Sequence, residues 1–162
     1  MTIRPAAPAD LPAVAEIWNR AIRETVQTFN SIEKTLPELE TLLSERQSAG
    51  HALLVADVGG VVGFGTYSQF RGGVGYSHTM EHTLYMAEAA RDQGLGRAMM
   101  VALEEHARAG GAHSLIGGIA GENVSSITFH ERMGYARIAT LPEVGFKFGR
   151  WMDLVLLQKI LT

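Results

Sequence analysis

Apolar positions change period several times along the chain, and each change marks an element. Behind a short first strand at Ile3-Arg4, the residues Leu11, Val14, Ile17, Trp18, Ala21 and Ile22 recur at helical spacing from Asp10 onward, which predicts an amphipathic helix with Trp18 in its core stripe. A second helix opens at Pro37, is lined by Leu39, Leu42 and Leu43, and stops at Gly50. The runs Ala52 to Asp57 and Val61 to Gln69 read as strands joined by a tight turn at Gly59-Gly60. The loop from Phe70 to His78 is too polar for core and too rich in glycine for a helix. A strand over 80–87, a helix from Ala98 to Ala109, a strand from Ser114 to Ala120, a helix from Val124 to Met133 and strands near Tyr135 to Leu141 and Trp151 to Ile160 complete the order. The Ser114 strand is almost wholly apolar or small, which suits the middle of a sheet covered on both faces. This alternation predicts one α/β domain over residues 1–162, with no repeat and no linker.

Composition narrows the chemistry. A chain of 162 residues with 46% hydrophobic content is large enough for a full core without disulfides or a structural metal. A net charge of -3 provides no basic stripe, so no nucleic-acid partner is expected. The absence of cysteine excludes a thiol nucleophile and a cysteine zinc site. No N-terminal apolar stretch approaches the length of a signal or a membrane span, which makes the cytoplasm the expected compartment and leaves no membrane partner. His78 and His82 have the spacing of a helical zinc pair. On a strand, however, they lie about 13 Å apart at the usual rise, so no metal is expected there. His51, His106 and His113 have no companion at ligand spacing.

Candidate chemistry concentrates around Arg91-Asp92-Gln93-Gly94-Leu95-Gly96-Arg97, between a strand and a helix. Glycines 94 and 96 let a ligand approach the main chain, and a helix start offers unpaired N–H groups and a positive dipole end, which together suit a phosphate or pyrophosphate. The spacing matches neither a nucleoside-triphosphatase phosphate loop nor a dinucleotide fingerprint. A plain strand-to-helix turn would explain the same glycines. Glu81, on the preceding strand, is a carboxylate whose pKa a partly apolar setting would raise toward the range of a general base; the alternatives are a solvated residue or an ion-pair partner of Arg71. Asn123 is placed to cap the helix after it, and Gly134 to end that helix.

Four segments in order, Glu81-His82-Thr83-Leu84-Tyr85-Met86, the Arg-x-x-Gly-x-Gly loop, Asn123 with Ser126, His130-Glu131 and Gly134-Tyr135, and Val144-Gly145-Phe146-Lys147-Phe148-Gly149-Arg150-Trp151-Met152-Asp153-Leu154, resemble the GNAT N-acetyltransferase superfamily, in its phosphinothricin and methionine sulfoximine branch. The resemblance runs from Ile3 to Gln158. It implies a single mixed, mostly antiparallel sheet of six to seven strands flanked by about four helices. It also implies acetyl-CoA as co-substrate without a metal, direct transfer to the α-amino group of a small amino-acid-like acceptor within a ternary complex, and a homodimer. By the same resemblance Glu81 is the base, and the main chain at Leu84, Tyr85 and Met86 holds the pantetheine arm and the acetyl carbonyl. Asp92, Gln93, Gly94, Leu95, Gly96 and Arg97 hold the pyrophosphate, and Asn123 contacts the cofactor arm. His130 stands where many members carry a tyrosine that protonates the departing thiolate. Arg71, Val74, Gly75 and Tyr76 form the acceptor loop, with Arg71 on the α-carboxylate. Gly73 and Ser77 replace arginines common in the branch, which favours a singly charged acceptor; Ala89 and Asp92 replace a frequent proline and glycine. A protein N-terminal or polyamine acetyltransferase is the rival among enzymes, and a non-catalytic acyl-CoA-binding module the rival from another class.

Overall fold

The computed structural model describes residues 1–162. In chain order the elements are β1 (Thr2–Pro5), α1 (Leu11–Glu24), α2 (Leu36–Ala49), β2 (Leu53–Asp57), β3 (Val61–Gln69), β4 (Thr79–Met86), α3 (Leu95–Ala109), β5 (Ser114–Ala120), α4 (Val124–Arg132), β6 (Ala136–Lys147) and β7 (Arg150–Ile160). The seven strands form one sheet in the order β1-β2-β3-β4-β5-β7-β6, with β4 and β5 the one parallel pair. This is the mixed, mostly antiparallel sheet with four helices that the resemblance implies.

Alternation along the strands divides the core between two faces. Leu54, Ala56, Leu115, Val155 and Leu157 pack with Met99, Met100 and Leu103 of α3 and Ile127 of α4. On the other face Leu53, Val55 and Phe64 pack with Leu11 and Val14 of α1 and Leu39 and Leu43 of α2. At one end of the sheet the Arg4 guanidinium bonds both Asp10 oxygens, at 2.8 and 2.9 Å, and reaches Asp57 at 3.0 Å, so one side chain ties β1 to β2 and to the start of α1. Thr35 and Glu38 form a capping box that starts α2 at Leu36, one residue before Pro37.

Two boundaries differ from the sequence expectation by three residues or more. Helix α3 begins at Leu95, not Ala98, with Gly94 at φ 75° as its N-cap, so the glycine loop is itself the helix terminus. Strand β6 does not stop at Leu141 but runs to Lys147, making the Val144-to-Leu154 motif the β6–β7 hairpin. Pro142 is tolerated because β6 is the edge strand, where a missing N–H costs no ladder bond, and a register shift between Leu141 and Gly145 accommodates Glu143 at φ 52°.

That hairpin fastens the connection between α1 and α2. Lys147 Nζ donates to the carbonyls of Thr25 and Thr28, at 2.7 and 2.8 Å, and burial lowers its pKa from the ordinary lysine value. The Phe29 ring lies directly over Gly145, where any Cβ would overlap it. Gly145→Ala is therefore expected to displace Phe29 and cost about 1–3 kcal/mol through overpacking. The check is a lowered urea midpoint at unchanged slope; a midpoint equal to wild type would show that the contact yields freely.

Candidate active site

Strands β4 and β5 pair only over Thr79–Ser114, Met80–Leu115 and Glu81–Ile116, whereas β4 stays paired with β3 as far as Met86. Beyond Glu81 one side of β4 therefore has no neighbour. Main-chain direction alternates along a strand. Ala87 N–H bonds Val62 and the Thr79 carbonyl accepts from Phe70, so odd residues face β3; the His78 carbonyl accepts from His113 N–H, so even residues face β5. The N–H and C=O groups of Leu84 and Met86 consequently open into the gap, while those of Tyr85 are used by β3. Tyr85 contributes its ring, which packs edge-on against Phe64 and donates from its hydroxyl to the Gln27 carbonyl; burial pushes that phenol up to about 12.

The gap is a cavity of about 480 Å³ lined by Gln27, His82, Thr83 to Met86, Gly118, Ile119, Asn123, Phe129, His130 and the loop residues Arg91, Asp92, Gly94, Gly96 and Arg97. Asp92 sits at φ 62°, the left-handed conformation that a glycine adopts without cost. A Cβ on Gly96 would meet nothing nearer than the Phe129 ring at 3.9 Å, which leaves the main chain open to a ligand. Arg91 and Arg97 are exposed and form no ion pair; Arg97 donates to the Met133 sulfur, at 3.5 Å. Leu95 and Gln93 build the loop from behind, Leu95 buried in the core and Gln93 donating to the Ala89 carbonyl. Asn123 Oδ1 accepts from Ser126 N–H and Ser125 Oγ, capping α4 at the wall of the cavity.

Glu81 lies half-buried at the point where the strands part, and a Cβ on Gly118 would come within 3.1 Å of its Oε2. Burial raises its carboxyl above the ordinary glutamate value, and it forms no ion pair. Arg71 is instead exposed, 5.7 Å above the Tyr76 ring, on a loop where Val74 is 90% exposed and Val74–Tyr76 form one short 3-10 turn. The structure thus brings Arg71 and Tyr76 together, with Gly75 between them, outside the residues that line the cavity.

His130 is buried and makes two directed contacts. Its Nδ1 lies 2.7 Å from the Ser126 carbonyl, which can only accept, so Nδ1 carries the hydrogen and Nε2 is left as an acceptor. His82 Nε2, 3.2 Å away, must then be the donor, and His82 Nδ1 is left buried with no partner. The two rings are nearly parallel, at 6°, with their centroids 5.0 Å apart and Tyr135 edge-on to both. Neither ring nitrogen of His130 is free for the gap. Sequence spacing could not reveal His82 in this role, because its partner is 48 residues away; alternation from buried Met80 would have turned it toward the same face.

Strands that part to free main-chain donors, with a glycine-opened helix end and two unpaired arginines at the far end of the gap, fit a long phosphorylated thioester, and they define the class as an acyl-CoA-dependent transferase. Residues 3–156 match the family described as Acetyltransferase (GNAT) domain, and the chain belongs to it; it is an N-acetyltransferase that uses acetyl-CoA as co-substrate. Over 159 residues it is 36% identical to an L-methionine sulfoximine/L-methionine sulfone acetyltransferase of Salmonella typhimurium, covering 98% of this chain and 93% of that one. A crystal structure of ribosomal-protein-alanine N-acetyltransferase from Brucella melitensis superposes with a TM-score of 0.96 at 40% identity, covering 99% of each chain. A GNAT superfamily phosphinothricin acetyltransferase from Sinorhizobium meliloti, solved in complex with acetyl-CoA, superposes with a TM-score of 0.93 at 29% identity, covering 98% of this chain and 87% of that one. No helix is long and apolar enough to cross a membrane.

Burial, with His130 alongside, lowers His82 from 6.5 to about 3, and burial lowers His130 as well. Both rings fold neutral, so the unfolded chain binds protons that the folded one refuses. The His82 contribution is complete above pH 6.5 and declines as the pH falls toward 3, by up to about 1.4 kcal/mol per pH unit, and His130 acts in the same direction. Urea unfolding between pH 7.5 and 5 should show this decline, with a shallower slope in His82→Leu; equal slopes would mean that the pair titrates normally.

Proposed function

We propose that the protein acetylates the α-amino group of a small amino-acid-like acceptor, of the methionine sulfoximine, methionine sulfone or phosphinothricin type, by direct attack within a ternary complex. The observation that carries the proposal is Glu81, a half-buried carboxylate without a cationic partner, placed where β4 parts from β5, on the strand whose main chain is then unpaired at Leu84 and Met86. The acceptors named for the Salmonella and Sinorhizobium relatives support the choice of acceptor.

Glu81 takes the proton of the acceptor ammonium, directly or through water, and frees the amine to attack the thioester carbonyl. The N–H of Leu84 stabilises the negative charge that gathers on the carbonyl oxygen, to which one such donor typically contributes about 3–4 kcal/mol, and the main chain of Met86, about 6.6 Å further along the strand, pairs with the pantetheine arm. The loop from Asp92 to Arg97 holds the pyrophosphate and Asn123 the adjoining arm. His130 holds its wall of the gap and leaves the thiolate to be protonated by another group. Arg71 takes the acceptor carboxylate beside Tyr76, and a homodimer, as the branch resemblance implies, completes the acceptor side. The Brucella relative's name favours a second reading, acetylation of a protein N-terminus.

Glu81→Gln keeps the shape and removes the base, so kcat at neutral pH should fall by about 100- to 10,000-fold at unchanged acetyl-CoA affinity. Because the folded carboxyl is raised, wild-type kcat/KM should climb with pH as Glu81 ionises, and the variant should lack that limb. Wild-type turnover in the variant across the range would remove Glu81 as base.

Arg71→Ala separates the two acceptor readings. It should lower kcat/KM on methionine sulfone by at least about tenfold, the weight of one charged hydrogen bond, and spare a peptide N-terminus, which has no adjoining carboxylate. Equal activity of Arg71→Ala and wild type on methionine sulfone would take Arg71 out of the acceptor site.

A further inference from the structure

The last paired residues of β4 and β5 are Glu81 and Ile116, so His82 and Gly117 are the first beyond the parting. At that vertex β4 and α4 are joined through the bond between His82 Nε2 and His130 Nε2. Gly117 makes room for it: a Cβ there would lie 3.0 Å from His82 Nε2 and 3.2 Å from His130 Nε2. The Ser126 carbonyl sets the tautomer of His130, which in turn requires the N–H of His82. The arrangement is costly as packing, since His82 Nδ1 is a buried acceptor without a partner and an apolar side chain of similar size would avoid that loss.

We propose that the His82–His130 bridge is a strut that sets the spacing of β4 from α4, and that His82 is a positioning residue holding the thioester carbonyl in register with Leu84 N–H and with Glu81. His82 and Leu84 lie on the same face of β4, two residues apart, and His130 and Asn123 lie on α4 and at its cap, so a change in the length of the bridge moves the two walls of the gap relative to each other. The strut acts through a neutral N–H···N bond and transfers no proton. It rests on the acetyl-transfer reading for its kinetic consequence, though not for its effect on binding.

The experiment compares His82→Leu, which removes the donor, with His82→Gln, whose amide nitrogen can stand where Nε2 does. His82→Leu should lower kcat by about 10- to 100-fold, the usual consequence of misplacing reacting groups by an ångström. It should weaken acetyl-CoA binding by a smaller factor and leave the thermal midpoint within a few degrees; His82→Gln should recover most of the lost turnover. Gly117→Ala touches neither histidine but presses on both, and should reproduce the kcat loss. A merely structural role would lower the midpoint in step with activity and would not be rescued by glutamine. Wild-type kcat and acetyl-CoA affinity in both His82→Leu and Gly117→Ala would overturn the strut, as would a His82→Gln variant as impaired as His82→Leu. If the wild type turned over no amine, the acceptor reading would fail, and calorimetric acetyl-CoA binding by the same three variants would still decide the strut: weakening in His82→Leu and Gly117→Ala with recovery in His82→Gln supports it, and equal affinity throughout overturns it.

Discussion

The parting of β4 from β5 after three paired residues is the constraint on which the site depends. Continued pairing would have used the main chain of Leu84 and Met86 in the ladder and closed the cavity. Unpaired main-chain groups inside a sheet are expensive unless a partner arrives, so the gap stands ready for a ligand that presents its own amides and carbonyls in extended form. Everything else that distinguishes the site lies along that gap: Glu81 where it begins, Asn123 on its wall, and the glycine-capped start of α3 where it opens to solvent.

Two faces of one strand carry two different chemistries there. Odd-numbered Glu81 meets Gly118 on the α1–α2 side, and even-numbered His82 meets Gly117 on the α3–α4 side. The adjacent glycines of β5 thus leave space on each face for a polar side chain from β4. Neither polar group is compensated by an opposite charge. Desolvation consequently pushes both toward the neutral form, which raises the carboxyl and lowers the imidazole.

Much of this was legible in the order of residues, and the rest failed for identifiable reasons. The helical stripe from Leu11 to Ile22, the Gly59-Gly60 turn and the Ser114 strand followed from local period and turn chemistry alone. Strand β6 runs past Leu141 because an edge strand tolerates Pro142, and edge position is a property of the whole sheet that no local period carries. The parting of β4 from β5 left no trace in periodicity, since a strand reads alike whether one side or both sides are paired. Motif resemblance pointed to Asn123 and the glycine loop, which line the cavity, and to Glu81, which stands outside the lining at the parting of the strands, against the lining residue Gly118. It also pointed to Arg71, Val74, Gly75 and Tyr76, which stand outside the cavity lining, and to the main chain of Tyr85, which alternation directs to β3.

The clamp between Lys147 and the carbonyls of Thr25 and Thr28 joins residues 122 and 119 positions apart. Strand β5 likewise acquires its second neighbour only with β7, near the end of the domain. During synthesis the chain therefore emerges with its cofactor loop and Glu81 long before the wall that steadies Gln27 and Phe29, and with β5 exposed as a temporary edge. Such an edge invites pairing with other chains until it is covered. The last hairpin made thus both shields that edge and steadies the Gln27 wall of the cavity, so that a finished cavity and protection from aggregation arrive together.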